Sequence, residues 1–411
     1  MKFQPVKGAH DIFGKDLLIY KFIIKKISEL AKIYDYQEMI TPIFENTELF
    51  LKNLGENSDV VLKEMYTFND RSNKSLTLRP EYTTSMIRAA ISNNLLEKLP
   101  TRLFGYGPMF RRERPQKGRF RQFNQINFEI LGANDSYSDA EMIILANNFL
   151  TKVIPDNKFQ LTINSLGDLD TLSKYRKELS LFFEKFKNDL SEDSKIKIQN
   201  NPLRILDSKD PKDIEISLSA PKIYNYYSNF AKSKFEEVQT YLKSSKVSFL
   251  INPNLVRGLD YYCHTVFEFK TNSLGSQDTL IGGGRYDGLI KSIGGPDIPG
   301  VGFACGIERL MLLGDNILKE TSNVQVIIID EKFKNYGFDL INNLRTIGIE
   351  TVYDYRFNLK KSLSIANHNK VQYAIIIGEE EFTNSYYTVK NLLDSTQEKK
   401  TYEEIIGLLK K

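Results

Sequence analysis

Two runs of strand-like alternation, residues 102–111 and 119–131, flank the turn-prone stretch Arg114-Pro115-Gln116-Lys117-Gly118. Both runs are rich in Phe, Tyr, Ile and Gln, and together they predict a long antiparallel hairpin with an extended loop. Successive strand side chains point to opposite faces. On the second strand Ile126, Phe128 and Ile130 share one face, while Arg121, Phe123, Gln125, Asn127 and Glu129 share the other. The first face requires a core. The second is polar with a single aromatic, a pattern that an ordinary half-exposed antiparallel strand would also show.

The hairpin loop gives the polar face a meaning. Residues 111–121 pack six basic side chains into eleven positions. Such a cluster attracts phosphates, although many charge runs are only solvated loops. Arg for a phosphate, Phe for a stacked base, and Gln with Glu for an ammonium or a ring N–H would together make a floor for ATP and an amino acid.

Elsewhere the chain is helical or mixed. Leu17, Tyr20, Ile24, Ile27 and Ala31 fall at helical spacing. Residues 83–97 and 138–150 are further helix candidates, the second opened by Asp135 or Ser138 as a cap. Residues from about 168 to 250 turn to Lys, Glu, Ser and Asn with helical patterning, which suggests an inserted helical domain without a chemistry-bearing motif. From 324 onward strands and helices alternate, which predicts a compact α/β domain.

At 411 residues, two or three domains are expected. A net charge of +4 argues against a tail-driven nucleic-acid binder but allows a local basic patch. Cys263 and Cys305 fit no metal or redox spacing, and two free cysteines suit a reducing compartment. His10, His264 and His368 are too scattered in sequence to suggest a zinc cluster or a nucleophile–histidine pair. The N-terminus lacks a signal core, and the apolar runs are far shorter than the roughly 20 residues that span a bilayer. A cytoplasmic protein with no membrane association is expected.

Three later segments carry further signals. Leu255-Val256-Arg257-Gly258-Leu259-Asp260-Tyr261-Tyr262 places an arginine in a largely apolar setting, which is costly without an anion; a structural Arg257–Asp260 pair is the plain alternative. Gly282-Gly283-Gly284-Arg285-Tyr286-Asp287-Gly288 suggests a glycine loop, and by itself marks only a tight turn or a close backbone approach. Residues 299–310, ending Gly306-Ile307-Glu308-Arg309-Leu310, predict a strand turning into a helix.

The order of these pieces is more telling than any one of them. Pro42, the Arg-bearing hairpin with its basic loop, and the strand–helix ending Gly-Ile-Glu-Arg resemble the three signature motifs of class II aminoacyl-tRNA synthetases. Leu78-Arg79-Pro80-Glu81, residues 110–119, Leu255 to Tyr262 and Gly283 to Gly288 narrow the resemblance to the histidyl-tRNA synthetase family, of bacterial type, over nearly the whole chain. The resemblance implies an α+β catalytic domain over residues 1–320, with an antiparallel sheet flanked by helices and the helical insertion at about 168–250. It also implies an α/β anticodon-binding domain over 323–411, and a homodimer formed through the first motif.

The implied reaction is activation of L-histidine with ATP and Mg2+, then transfer of histidine to the 3′ end of tRNA(His). The ion would enter with ATP rather than at a protein metal site. The resemblance assigns Arg111 and Arg257 to the α-phosphate as the catalytic pair. It assigns Glu81, Thr83, Gln125, Glu129, Tyr261 and Tyr262 to histidine. Arg111, Glu113, Arg119, Arg121, Phe123 and Arg309 fall to ATP, and Gln116 and Lys117 to the tRNA. Tyr82, Asn124 and Asn127 depart from the family's usual residues, and Cys263-His264 replaces other polar pairs. Three rival readings accompany this one: a non-catalytic synthetase-like regulatory subunit of histidine biosynthesis, a class II synthetase for proline, threonine or glycine, and a plain nucleotide- or RNA-binding module.

Overall fold

The computed structural model describes residues 3–55, 58, 60–155, 159–275, 278–314 and 324–410. The chain divides into two compact units, Met1–Leu318 and Lys319–Lys411. The boundary expected near residues 320–323 lies outside the described residues.

The strands of the first unit are β1 (Gln37–Glu38), β2 (Phe44–Asn46), β3 (Tyr66–Asn69), β4 (Ser75–Leu78), β5 (Thr101–Phe110), β6 (Gln122–Leu131), β7 (Gln160–Ser165), β8 (Phe249–Ile251), β9 (Cys263–Lys270), β10 (Thr279–Arg285) and β11 (Gly300–Gly306). Eight of them form one sheet in the order β1-β5-β6-β11-β10-β9-β7-β8, and β2, β4 and β3 form a small separate sheet. The large sheet is antiparallel except at its edges, where β1 pairs parallel to β5 and β8 parallel to β7.

The predicted hairpin is β5–β6, with Phe104 opposite Phe128 and Met109 opposite Phe123. Its second strand starts at Gln122 rather than 119. Arg119 instead bridges to Gln116 inside the loop, and the Arg121 N–H donates to the Gly8 carbonyl at 2.7 Å.

Ile126, Phe128 and Ile130 enter the main core as their alternation requires. Helices Gly14–Ile33 and Ser136–Val153 cover that face. The buried stripe of the first helix is Ile19, Ile23, Ile27, Leu30 and Ala31. Tyr20 and Ile24, singled out by spacing alone, pack at its margin. Several apolar residues on neighbouring helical positions allow more than one stripe, and packing selects one. The second helix opens at Asp135, whose carboxylate accepts the Tyr137 N–H at 2.6 Å.

Helices Leu169–Lys185, Glu192–Asn200 and Pro211–Leu218 gather around Leu172, Tyr175, Leu179, Phe183 and Ile198, against Leu255 and Val256. The next helix, Asn229–Ser244, puts Phe235, Val238 and Leu242 into the main core.

The second unit adds β12 (Val324–Ile328), β13 (Thr351–Val352), β14 (Tyr373–Ile377), β15 (Tyr387–Asn391) and β16 (Gln397–Lys400), in the order β13-β12-β14-β15-β16. Helices Lys334–Thr346, Leu359–His368 and Tyr402–Leu409 accompany this sheet. Its core joins Val326, Ile328, Leu340, Leu344, Ile375, Ile377 and Ile405. Among the described residues no helix is long and apolar enough to cross a membrane.

Candidate active site

The polar face of β6 is not exposed. Gln125 is 9% accessible, Asn127 1% and Glu129 0%. A central strand of a covered sheet buries both faces, so its polar side chains need partners or a ligand. Beside this face opens a cleft of about 330 Å³. Its wall brings together Glu81, Thr83, Arg111, Glu113, Arg119, Phe123, Gln125, Arg257, Tyr261, Tyr262 and Arg309, which the sequence places far apart. Glu129, Arg121, Gln116 and Lys117 are not among its lining residues.

Part of the cleft wall is cationic. Arg111 donates from Nε to the Pro80 carbonyl at 2.7 Å, and its guanidinium lies 5.3 Å from the centre of the Phe123 ring. Arg119 pairs with Glu113. Arg309 donates to the Gly118 carbonyl at 3.2 Å and to the Thr279 carbonyl at 2.6 Å. Burial, together with the cations Arg119 and Arg111, lowers the Arg309 pKa. An anion entering here would relieve that repulsion.

Arg257 pairs with Glu268, whose other oxygen lies 3.0 Å from Lys270 Nζ. The alternative pairing with Asp260 does not form. Asp260 is held instead by Asn201 Nδ2 at 2.8 Å and Arg204 at 3.1 Å. The glycine run is not a loop: Gly282, Gly283 and Gly284 lie within β10. The close backbone approach is real, however. Arg257 occupies the space where a Gly282 side chain would begin, and a Cβ on Gly284 would meet the Tyr262 ring at 2.9 Å.

The wall also carries oxygen acceptors. Glu81 sits at the start of helix Thr83–Ser92, where its carboxylate accepts the Thr84 N–H at 2.9 Å; burial raises its pKa. Gln125 Oε1 is buried without a hydrogen-bond partner. Glu129 lies behind the wall. It accepts from the Thr83 hydroxyl at 2.6 Å, from Asn127 Nδ2 at 3.3 Å and from the Tyr286 hydroxyl. Burial dominates these bonds and pushes its pKa up to about 8.

Arg121 donates from Nε to the Glu113 carbonyl at 3.2 Å, while Gln116 and Lys117 are exposed on the hairpin loop. His264, in the left-handed backbone region at φ 46°, lies edge-on to Phe230 and away from the cleft wall. The departures from the family pattern are accommodated locally. Asn124 binds Glu308 through its backbone N–H at 2.8 Å and its amide at 2.9 Å. Asn127 also donates to the Thr83 hydroxyl at 3.1 Å.

Two lining residues come from a region that suggested no chemistry. Arg204 and Asp207 project from the 3₁₀ segment Pro202–Asp207 of the insertion. Residues three apart eclipse on a 3₁₀ turn, so the Arg-x-x-Asp spacing was the available signal.

The family model described as histidyl-tRNA synthetase matches residues 8–310, and one described as anticodon binding domain matches residues 323–411. A histidine--tRNA ligase of Orientia tsutsugamushi (strain Boryong) is 43% identical, covering 100% of this chain and 98% of the relative. The structure of apo Staphylococcus aureus histidyl-tRNA synthetase aligns over 100% of both chains with TM-score 0.81 and 31% identity. A Bacillus halodurans protein titled ATP phosphoribosyltransferase regulatory subunit/histidyl-tRNA synthetase shares the fold, with TM-score 0.68 and 20% identity over 92% of this chain and 99% of its own. A full-length relative at this identity, and a family model spanning the unit that holds the cleft, settle the lineage: the chain belongs to the histidyl-tRNA synthetase family.

Proposed function

We propose that the chain is a histidine--tRNA ligase that forms histidyl-adenylate from L-histidine and ATP, then passes histidine to the 3′ end of tRNA(His). The observation that carries this reading is the meeting of Arg111, Arg119, Arg257 and Arg309 with Glu81, Thr83 and Gln125 in one cleft. Phosphates need the first group and an α-ammonium needs the second.

In this reading Glu81, Thr83 and the unpartnered Gln125 carbonyl take the substrate ammonium. Tyr261 and Tyr262 wall the imidazole, and Glu129 reaches a ring N–H by giving up a present partner. Phe123 stacks the adenine. Glu113 and Arg119 hold the nucleotide, Arg121 braces Glu113 from outside the wall, and Arg309 meets the distal phosphates. The histidine carboxylate is already a nucleophile. Its oxygen bonds to the α-phosphorus as the bond to the β-phosphate oxygen breaks and pyrophosphate leaves. Arg111 and Arg257 align the two and stabilise the charge on the α-phosphate oxygens. A ribose hydroxyl of the tRNA terminus then attacks the adenylate carbonyl carbon and expels AMP.

Mg2+ accompanies the triphosphate, and the chemistry it supplies is charge neutralisation on the departing phosphates. Glu113, a hard oxygen donor that Arg119 pairs in the structure, would share it from the cleft wall.

Exposed Phe44 and Phe68 on the small sheet, with exposed Ile40 and Ile43 on either side of Pro42 just before it, are apolar surface that supports a homodimer there. A cytoplasmic setting suits these substrates. In this reading Gln116 and Lys117, exposed and next in sequence to the cleft-lining Gly118 and Arg119, contact the acceptor end of tRNA, including the extra 5′ guanosine that the resemblance implies for tRNA(His). Charging by Gln116→Ala that falls for tRNA with that guanosine but not for tRNA lacking it is the expected result. A variant that keeps the wild-type preference for tRNA carrying the guanosine would count against the assignment.

The regulatory-subunit reading is weaker, because that likeness rests on fold alone. Histidine-dependent ATP–pyrophosphate exchange separates the two. Exchange with histidine among twenty amino acids, lost in Arg257→Ala, is expected. No exchange from folded protein would move the assignment to the regulatory class.

A further inference from the structure

Residues between Leu255 and Tyr262 form no strand or helix, yet they carry the arginine proposed to face the α-phosphate. Something outside the segment must fix it. Its start is held by Asn164, whose amide donates to the Leu255 carbonyl at 3.0 Å. Its end runs into β9 at Cys263. The middle is held by the insertion. Arg204 donates to the Gly258 carbonyl, the residue directly after Arg257, and its Nε and a terminal nitrogen reach Asp260 Oδ1 at 3.3 and 3.1 Å. Asn201, three residues earlier, donates to the same oxygen at 2.8 Å.

This grip differs from a surface ion pair, which contributes little. The Arg204 side chain is 15% accessible and that of Asp260 25%. Asp260 is hemmed in further by Gly55, where a Cβ would collide with its carboxylate. The planar guanidinium presents its donors in a fixed fork, so one side chain sets the backbone on both sides of Leu259. Arg204 also lines the active cleft, together with Asp207 on the same 3₁₀ turn. Arg257 itself keeps its partner Glu268. The insertion thus reaches Arg257 through the segment that carries it, in addition to the charge of Asp207, which acts on the guanidinium directly.

Resting on the ligase reading, we propose that Arg204 is a positioning residue for Arg257, acting through Asp260 and the Gly258 carbonyl. The insertion is thereby part of the adenylation machinery rather than an appendage to it. Removing Arg204 leaves Asn164, Glu268 and β9 in place, so the fold survives while the guanidinium of Arg257 is free to drift. A displacement of about 1 Å in a catalytic group can cost ~100-fold in rate.

The test is histidine-dependent ATP–pyrophosphate exchange on the full-length protein, with thermal unfolding beside it. Arg204→Ala is expected to lower kcat ~10–100-fold while KM for histidine and the melting temperature stay near wild type. Asp260→Ala is expected to show the same loss, the double variant no further loss, and Arg204→Lys a partial recovery. Wild-type kcat in Arg204→Ala, or losses that multiply in the double variant, would overturn the inference. If Arg204→Ala does not fold, Arg204→Lys and Asn201→Ala carry the comparison, and wild-type kcat in both overturns it equally. Wild-type protein that exchanges with no amino acid overturns the ligase reading and this inference with it. Wild-type exchange with an undiminished variant overturns this inference alone.

Discussion

Arg257 lies over the bare backbone of Gly282, in the space that a methyl group would fill. Neither residue can change without the other responding. A Gly282→Ala substitution puts its Cβ against the guanidinium, while β10 keeps its pairing with β9 and β11. Histidine-dependent exchange should fall ~100-fold, with a melting temperature close to wild type. A variant that exchanges normally would show that Arg257 has room elsewhere in the cleft.

Glu129 gives the chain a pH signature. Burial raises its pKa from 4.5 in the unfolded chain to about 8 in the folded one. Between those values the folded state holds a proton that the unfolded state has released. Stability therefore falls as pH rises from about 5 to about 8. Glu129→Gln removes that proton linkage. The difference in unfolding free energy between variant and wild type, measured by urea titration at intervals from pH 5 to 8.5, should grow in favour of the variant as pH rises. A constant difference would mean that Thr83, Asn127 and Tyr286 keep the carboxylate ionised throughout.

The same residue shows where sequence reading stops. The alternation of β6 correctly assigned Ile126, Phe128 and Ile130 to a core, since period two is intrinsic to a strand. It could not tell whether Gln125, Asn127 and Glu129 faced water or a covered cleft, because both demand polar groups. The glycine run suggested a close approach but not its location, and the segment is a strand because its neighbours on both sides supply the hydrogen bonds. Arg204 and Asp207 were hidden in a stretch whose composition matches any solvated helix. Strand β16, Gln397–Lys400, and helix Glu379–Asn384 escaped because their charged residues lack an apolar period. The distant residues that meet in the cleft were grouped by family resemblance, since spacing along the chain says nothing about such meetings.

Tyr82 fills a space opened by Gly105. Its ring would lie 2.8 Å from a Cβ there, and its hydroxyl donates to the Met39 carbonyl at 3.1 Å and accepts from the Thr41 N–H at 3.3 Å. Tyr82→Phe should cost about 1–2 kcal/mol through the unmade hydrogen bonds. Tyr82→Ala should cost about 3–5 kcal/mol through the added cavity. Urea midpoints of the two variants check the order. Equal costs would show that the ring is not what holds this corner.

Arg285 and Asp139 are both fully buried and lie 2.5 Å apart, with Arg285 also bonded to Ser138 at 2.8 Å and to the Ala133 carbonyl at 3.1 Å. A buried ion pair contributes little net stability against an apolar pair of similar volume, yet removing one member strands the other charge. Arg285→Met should therefore cost about 3–5 kcal/mol. Asp139→Leu with Arg285→Met should cost less than Arg285→Met alone, although the Thr265 hydroxyl then loses its 2.7 Å bond to Asp139. Unfolding free energies of Arg285→Met, Asp139→Leu and the double variant decide the matter. A double variant as unstable as the sum of its singles would mean that the pair is valued for its several bonds to Ser138, Ala133 and Thr265, and that the two charges act independently.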